Sequence, residues 1–393
     1  MVNMNENELV SLRDICEETC LRTDPETGRS VRKTAYFSSM EAMIEGAFQF
    51  VEYFEKMHRE GKVYCSDTPE SFRFSLKTGK MIYKGEGFRN VSPGETEPKT
   101  EEQEDAKDIP ISVDISEFLA PELLELPEME KNLTEQSFTV ETDYYFMAVF
   151  LFEYFFHTGS PFEGKKMVNR CFLSPLEKEQ FRARQGKFCM DIGENDNTPV
   201  KGIQDKLIRY WKEYPDILRK MFQRAFLDGG ILCELRPTEV DWKQVLVRMA
   251  MDYRNCGCGF HGFSYKLVRQ DNGTFACPKC GKVYYPLSNG MDRILLAEGE
   301  KLYECQTGRD PFNKDKVTAL IVENRQRKGL YGIKNISQGI WRGLYPNGSI
   351  KEIGNGQGIP IWNGMMLRLE SGEEWSLRLI QQTEESEVDE YEQ

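Results

Sequence analysis

The feature that most constrains the fold is the stretch Tyr144–His157, which is apolar on nearly every face of the helix it would form. A helix without a polar face has to be buried among other elements, so this stretch predicts a surrounding layer of helices. Apolar residues recur at helical spacing in three further stretches, 40–57, 217–226 and 240–253. We therefore expect a mostly helical lobe over residues 38–255, after a peripheral lead-in at 1–37.

Local signals divide this lobe further. Gly61 stands where a glycine ends a helix, and Thr238 is placed to cap the last helix, with Asp241 three residues later. The segment Val63–Tyr83 alternates like short strands around the turn Lys77-Thr78-Gly79. Residues 95–108 contain seven acids and two lysines, which predicts a solvated acidic loop over 92–109.

Length and charge restrict the class of protein. A chain of 393 residues exceeds what one core usually organises, so we expect two or three structural units. The formal charge of −13 opposes binding to phosphate backbones and argues against nucleic acid as a partner. No run of eighteen apolar residues and no secretory leader is present, which predicts a soluble, cytoplasmic protein without a membrane partner.

The region after Arg293 changes to short β-rich runs separated by turn signals. Asn-Gly occurs at 347–348 and 363–364, and Gly-Asn-Gly at 354–356. We predict a small β sandwich over 291–381, with Trp341, Trp362 and Trp375 in its core. The acidic segment 382–393 is expected to be disordered, and the whole chain to be an α+β multidomain protein.

Two close cysteine pairs lie between the lobe and the β domain, Cys256-Gly-Cys258 and Cys277-Pro-Lys-Cys280. Each pair places two thiolates on one turn, where together they can hold a tetrahedral Zn²⁺. Four thiolates leave no open position for water, so we predict a structural zinc knuckle at 256–285. His261 is an alternative ligand, which we interpret as an exposed neighbour. The odd total of eleven cysteines in a long chain favours metal thiolates over disulfides.

Several motifs of the helical lobe occur in the order of the protein-kinase C-terminal lobe. They are a helix, Tyr64-Cys65-Ser66-Asp67, a loop, Ala120-Pro121-Glu122, Asp143 in the buried helix, and Arg236 before the last helix. The stretches Phe37–Gly79, His157–Gly164 and Pro199–Trp242 resemble a bacterial subfamily in which a kinase-like domain precedes a cysteine knuckle and a β domain.

This resemblance implies structural roles for three residues. It implies that Glu122 pairs with Arg236 and that Asp143 caps the backbone of the catalytic-loop segment. A buried ion pair and a buried carboxylate both need partners that offset their desolvation, so these residues should hold the scaffold together.

The sequence departs from the kinase pattern at the residues of phosphoryl transfer. Asp67 matches the catalytic Asp, but Phe72 or Ser71 stands where an Asn should hold Mg²⁺. The metal-binding Asp position falls on Gly85, with Glu86 as a displaced candidate. The lead-in is also too short for a five-stranded N-terminal lobe and lacks its Gly-rich loop and strand lysine. Binding of ATP and Mg²⁺ is therefore doubtful, and Asp67 is expected to be inactive.

The β domain faintly resembles a forkhead-associated sandwich through two segments, Gly332–Ser337 and Asn363–Leu367. That family binds phosphothreonine with an Arg and a Ser on its loops, and neither residue has an evident counterpart here. A β sandwich without phosphopeptide binding is the competing interpretation.

The hypothesis that follows is a catalytically inactive pseudokinase that acts as a signalling scaffold. The resemblance implies partners such as protein phosphatases and von Willebrand factor A-type proteins. One alternative is a serine/threonine kinase that uses Asp67 and Glu86 and obtains an N-terminal lobe from another chain. A zinc-knuckle nucleic-acid binder is the third hypothesis, and the acidic charge opposes it.

Overall fold

The fold is described from a computed structural model. It describes residues 9–23, 30–65, 68–90, 118–124, 133, 137–171, 174, 177–178, 181–182, 186–191, 193 and 196–379. The described chain is mixed α and β and divides into two compact units, 1–246 and 247–393. Within the described residues, no helix is both long and apolar enough to cross a membrane.

The first unit is mostly helical. Its helices are α1 (Leu12–Glu17), α2 (Met40–Arg59), α3 (Pro121–Leu124), α4 (Val140–Phe156), α5 (Lys165–Val168), α6 (Asp205–Glu213), α7 (Asp216–Gln223) and α8 (Gly229–Ile231). A π-helical turn, Arg224–Asp228, joins the last two. Helix α9 (Glu239–Asp252) begins in this unit, and the division between the units falls within it, after Leu246.

Helix α4 is the centre of the first unit, as its composition predicts. Fourteen of its seventeen residues are buried, because neighbouring elements cover every face. Thr139 caps its N-terminus by accepting a hydrogen bond from the Thr142 N–H at 3.4 Å. Its aromatic rings pack against those of α2, where Phe50 stacks on Phe150 with centroids 4.1 Å apart. The predicted helical layer is therefore present.

Short strands lie beside this helical layer. They are β1 (Leu9–Val10), β2 (Thr19–Thr23), β3 (Ser30–Thr34), β4 (Lys62–Tyr64), β5 (Phe72–Ser75), β6 (Met81–Tyr83) and β7 (Phe88–Asn90). The sheet order is β1-β5-β6, with separate antiparallel pairs β2-β3 and β4-β7. Gly79, at φ +73°, makes the tight turn before β6 that the sequence predicts.

The lead-in at 1–37 differs from the peripheral segment that we expected. Strand β1 pairs with β5, Val10 and Ile15 are fully buried, and α1 packs against α4. The first part of the segment therefore belongs to the core of the first unit. The hydrophobic pattern did not predict these elements, because a helix of six residues and a strand of two are too short to show a helical or alternating pattern of apolar residues.

The second unit is built of β structure. Its strands are β8 (Tyr253–Cys256), β9 (Phe260–Phe263), β10 (Val268–Arg269), β11 (Phe275–Ala276), β12 (Val283–Ser288), β13 (Arg293–Leu296), β14 (Lys301–Tyr303), β15 (Val317–Glu323), β16 (Tyr331–Asn335), β17 (Trp341–Leu344), β18 (Ile350–Ile353), β19 (Gly358–Pro360), β20 (Met366–Arg368) and β21 (Glu374–Ser376). One short helix, α10 (Glu304–Thr307), follows β14.

Two sheets enclose the core of this unit. One has the order β10-β11-β12-β21-β20-β17-β18, with β13 also paired to β12, and the other has the order β14-β15-β16-β19. Trp341 and Trp375 are buried in the shared core, and Trp362 packs against it half-buried. Strand β12 pairs with β11 of the cysteine region and with β13 and β21 of the β domain, so one sheet runs through both regions.

Candidate metal centre

Two turns in the second unit carry the four paired cysteines. Cys256 ends β8, and Cys258 lies in the turn to β9, where Gly259 has φ +83° and donates a backbone hydrogen bond to the carbonyl of Cys256 at 2.8 Å. Cys277 follows β11, and the second turn closes with a 2.9 Å hydrogen bond from the Gly281 N–H to the Cys277 carbonyl. Each turn therefore aims two thiols to the same side.

The two turns bring the four Sγ atoms of Cys256, Cys258, Cys277 and Cys280 to within 4.8 Å of one another. The Sγ atoms of Cys256 and Cys280 are 3.6 Å apart, as are those of Cys258 and Cys277. Zn–S bonds of about 2.3 Å in a tetrahedron place sulfurs about 3.8 Å apart. The four thiols therefore fit a tetrahedral metal ion such as zinc.

The electrostatics of the cluster also favour a cation. The backbone N–H of Cys258 and the neighbouring thiols lower the pKa of Cys256 to about 7, whereas burial and the same thiols raise the pKa of Cys258 to about 12. Four thiolates this close repel one another, so they can all ionise only when a cation lies between them.

The cluster lies beside a small apolar core. Cys256 and Cys277 are buried and pack with Leu267, Tyr284 and Leu295 in a small apolar core. His261 is exposed and does not belong to the sulfur cluster, in agreement with its interpretation as a neighbour. None of the eleven cysteines, all of which lie among the described residues, is in a disulfide.

A buried polar cluster lies in the first unit around Asp143. The carboxylate of Asp143 is 1% exposed and accepts a 2.9 Å hydrogen bond from the Tyr64 N–H, at the end of β4. His58, in the last turn of α2, contacts Asp143 through Nε2 at 2.8 Å and Glu239 through Nδ1. Although burial lowers the pKa of His58, its hydrogen bonds to the two carboxylates raise it to about 9. The His58 ring therefore joins α2, α4 and α9 through the two carboxylates.

Arg236 forms the ion pair that we expected with Glu122. Its guanidinium donates two hydrogen bonds to the carboxylate, of 2.7 and 2.8 Å, and others to the carbonyls of Gly229 and Glu141. Arg236 is 2% exposed but the Glu122 side chain is 43% exposed. The expectation of a pair buried on both sides is therefore wrong for Glu122, because α3 presents this carboxylate at the surface of the unit.

The residues at the expected phosphoryl-transfer positions differ from one another in burial. Asp67 lies outside the described residues. Phe72 is fully buried in β5, with its ring centroid 4.9 Å from that of Phe50 and 5.0 Å from that of Tyr83. Ser71 is also buried, whereas Gly85 and Glu86 are exposed on the connection between β6 and β7.

Two polar contacts escaped the sequence reasoning. One is the His58–Glu239 contact, and the other joins His157, at the end of α4, to Glu18 at 3.2 Å. The chain has three histidines, and two of them lie beside carboxylates: His157 is buried, and the His58 side chain is 9% exposed. For His157 the available signal was a histidine that directly follows an aromatic stretch, whereas His58 stands among charged residues and gives no such signal. The partner lies more than 130 residues away in both cases.

Comparisons with known proteins add no relatives. No protein-family model matches the chain, and a search of curated proteins found no match. The chain is therefore characterised by its structure. It has a helical unit with a histidine–carboxylate cluster, and a β unit with a four-cysteine site that can hold a metal ion such as zinc.

Proposed function

We propose that this chain is a catalytically inactive, protein-kinase-like signalling scaffold whose β unit is held together by a structural zinc ion. The observation that carries the proposal is the placement of Phe72. Phe72 and Ser71 are the two candidates for the position where the resemblance requires an Mg²⁺-binding Asn. The phenyl ring of Phe72 fills the core between α2 and α4, and Ser71 beside it is buried and carries a hydroxyl in place of an amide. An apolar ring has no oxygen to offer a hard cation, so it cannot take the place of that ligand.

The retained contacts support a role for this lobe in holding structure. Asp143 fixes the backbone that leads to Asp67, and Arg236 ties Glu122 to the segment before α9. These are the residues that the resemblance assigns to the scaffold, and their contacts need neither ATP nor Mg²⁺. The resemblance implies signalling partners such as protein phosphatases and von Willebrand factor A-type proteins.

The test measures phosphate transfer by the full chain. With labelled ATP and Mg²⁺ or Mn²⁺, we expect no incorporation into the protein itself or into generic acceptor proteins, because positioned metal ions supply most transition-state stabilisation in this reaction. Calorimetry with ATP and Mg²⁺ should likewise show no binding heat.

Asp67→Asn is the matched control for this experiment. It should leave the unfolding temperature and the absence of labelling unchanged. Incorporation that the wild-type chain supports and Asp67→Asn abolishes would contradict the proposal and would favour the alternative, a serine/threonine kinase with an unusual metal site.

A further inference from the structure

The outer face of one sheet in the β unit carries an unusual arrangement of side chains. Strands β18, β17, β20 and β21 are consecutive in the sheet, and the residues Trp341, Leu367 and Trp375 point to the buried core. Because side chains alternate along a strand, their neighbours point to the opposite face. We call this face the arginine face; it is formed by Arg342, Leu344, Ile350, Glu352, Met366, Arg368, Glu374 and Ser376.

Two arginines lie directly opposite each other in the centre of the arginine face. The register pairs Arg342 of β17 with Arg368 of β20. Like charges at directly opposed positions destabilise a sheet, and a glutamate lies on the other side of each arginine in the register, Glu352 opposite Arg342 and Glu374 opposite Arg368. Arg342 has one exposed partner, Glu352, at 3.1 Å, and Arg368 makes no ion pair with any residue that the structure describes. Glu374 lies opposite Arg368 without forming an ion pair with it, so Arg368 is the arginine placed to accept an additional anionic group, with Arg342 beside it.

An apolar row runs beside the two arginines. Leu344 pairs in register with Ile350 on one side and Met366 on the other. Ile350 is 73% exposed and Met366 is 37% exposed. A ligand that fits the whole face should therefore combine acidic groups with apolar side chains at close spacing.

The segment 382–393 of the same chain, which lies outside the described residues, has this chemistry. It contains six acids and no lysine or arginine, and Val388 and Tyr391 lie among the acids. The part of the chain between Val247 and Leu379, in contrast, has nineteen lysines and arginines against thirteen acids. The charges of the segment are thus complementary to those of the folded β unit that directly precedes it.

The segment can also reach the arginine face. It follows β21, which is itself one of the four strands of that face. Three strand spacings, about 14 Å, separate β21 from β18. Nine extended residues between Leu379 and Val388 span about 30 Å. Chain length therefore places no obstacle to an intramolecular contact.

We propose that segment 382–393 docks on the arginine face of its own β unit, with its carboxylates on Arg342 and Arg368 and with Val388 and Tyr391 on the row of Ile350, Leu344 and Met366. A docked segment would cover this face and compete with any acidic partner for it. The proposal goes beyond the scaffold function and does not depend on it.

The experiment uses the full chain with a photo-crosslinking amino acid, p-benzoylphenylalanine, in place of Tyr391. Near about 0.05 M salt, we expect intramolecular crosslinks to β17, β18 and β20, mapped by mass spectrometry. Near about 1 M salt, where the Debye length falls to about 3 Å, the yield of these crosslinks should fall about tenfold.

Two sets of variants test the charges. Arg342→Glu combined with Arg368→Glu should lower the yield about tenfold, whereas Arg325→Glu combined with Arg327→Glu, an equal charge change on the exposed β15–β16 loop, should leave it unchanged. Replacing the six acids of segment 382–393 by their amides should also lower the crosslink yield about tenfold, as the Arg342 and Arg368 reversals do, and it leaves the sequence of the folded sheet unchanged.

Three results would overturn the proposal. They are crosslinks that map elsewhere in the chain, crosslinks that join two chains and increase with protein concentration, and a yield that neither salt nor the Arg342 and Arg368 reversals change. The second result would assign the face to contact between two copies of the protein.

Discussion

At the residue scale, the two non-glycine residues with left-handed φ in the described chain contact each other. Glu18 has φ 58° at the end of α1, and His157 has φ 48° at the end of α4. This conformation costs roughly 1–2 kcal/mol for a residue with a Cβ atom. The Glu18 carboxylate accepts hydrogen bonds from Tyr36 Oη at 2.7 Å and Tyr210 Oη at 3.1 Å and pairs with Lys206 at 3.2 Å. These contacts offset the strain and hold α1 against α4.

We predict that Glu18→Gln lowers stability at neutral pH and removes part of its acid dependence. Although partial burial raises the pKa of Glu18, hydrogen bonds from Tyr36, His157 and Lys206 lower it from 4.5 to about 2. Because the pKa of Glu18 is lower in the folded chain than in the unfolded chain, its ionised carboxylate stabilises the fold above pH 4.5. This stabilisation is lost as the pH falls towards 2. Chemical unfolding at several pH values should therefore show the wild-type chain losing more stability over this range than Glu18→Gln. If the free energy of unfolding depended on pH in the same way for both proteins, the Glu18 contacts would contribute no pH-dependent stability.

The Arg236–Glu122 pair yields a second prediction at this scale. Glu122→Ala leaves a guanidinium that is 2% exposed without a counter-charge, so it should destabilise the first unit by about 2–3 kcal/mol. The cost lies below that of a fully buried pair because Arg236 keeps its two backbone carbonyl acceptors. The free energy of unfolding in urea measures it.

Glu352→Ala is the matched control, because it removes an arginine partner from an exposed pair, with both side chains about three-fifths exposed. It should cost less than about 0.5 kcal/mol. If Glu122→Ala and Glu352→Ala lowered the free energy of unfolding equally, burial of Arg236 would not increase the contribution of its ion pair to stability.

At the element scale, His58 joins three helices through two carboxylates. The backbone of β4 is tied to the same cluster through the Tyr64 N–H, so the end of α2, the start of α4 and the start of α9 have one common polar contact. Buried groups with several partners of this kind are costly to leave incomplete. The cluster therefore fixes how the three helices pack around the segment that precedes Asp67.

This arrangement predicts that stability declines on the alkaline side. The pKa of His58 is raised from 6.5 to about 9, so the protonated ring stabilises the fold fully below pH 6.5 and loses this contribution as the pH rises to 9. The wild-type chain should therefore lose more stability over this range than His58→Gln does. His261→Gln, at an exposed position, should behave as wild type. If the free energy of unfolding of His58→Gln fell with pH as steeply as that of the wild-type chain, the raised pKa of His58 would be contradicted.

At the scale of the whole molecule, the two units rely on different stabilising features. The first has a large aromatic core around α4, and the second is a thin pair of sheets that continues into the four-cysteine site. Metal binding to such a site contributes directly to folding, because the unfolded chain does not hold the four thiols together.

We predict that purified protein contains one equivalent of zinc by elemental analysis. Cys277→Ser should release it and lower the unfolding temperature of the β unit, since Cys277 lies in the small core beside Tyr284 and Leu295. Cys171→Ser, at an exposed thiol in the first unit, should keep the metal. Less than about a tenth of an equivalent in protein never exposed to a chelator would show that the site does not hold zinc in this chain.

Features that depend on short sequence separations could be predicted from the sequence. The burial of α4 follows from its composition, the start of α9 from the reciprocal bonds of Thr238 and Asp241, and the sulfur cluster from two close cysteine pairs. Each of these is a local property, in which neighbouring residues already determine the geometry of one helix, cap or turn.

The tertiary structure decided the features that depend on packing between distant segments. Nothing in the local sequence of α1 indicates that Glu18 would meet His157, 139 residues later, or that His58 would meet Glu239, 181 residues later. The exposure of Glu122 was also decided at this level, because it depends on which side of α3 faces the unit. Such contacts form only when whole elements pack, since the free energy that orders them comes from the surface they bury together.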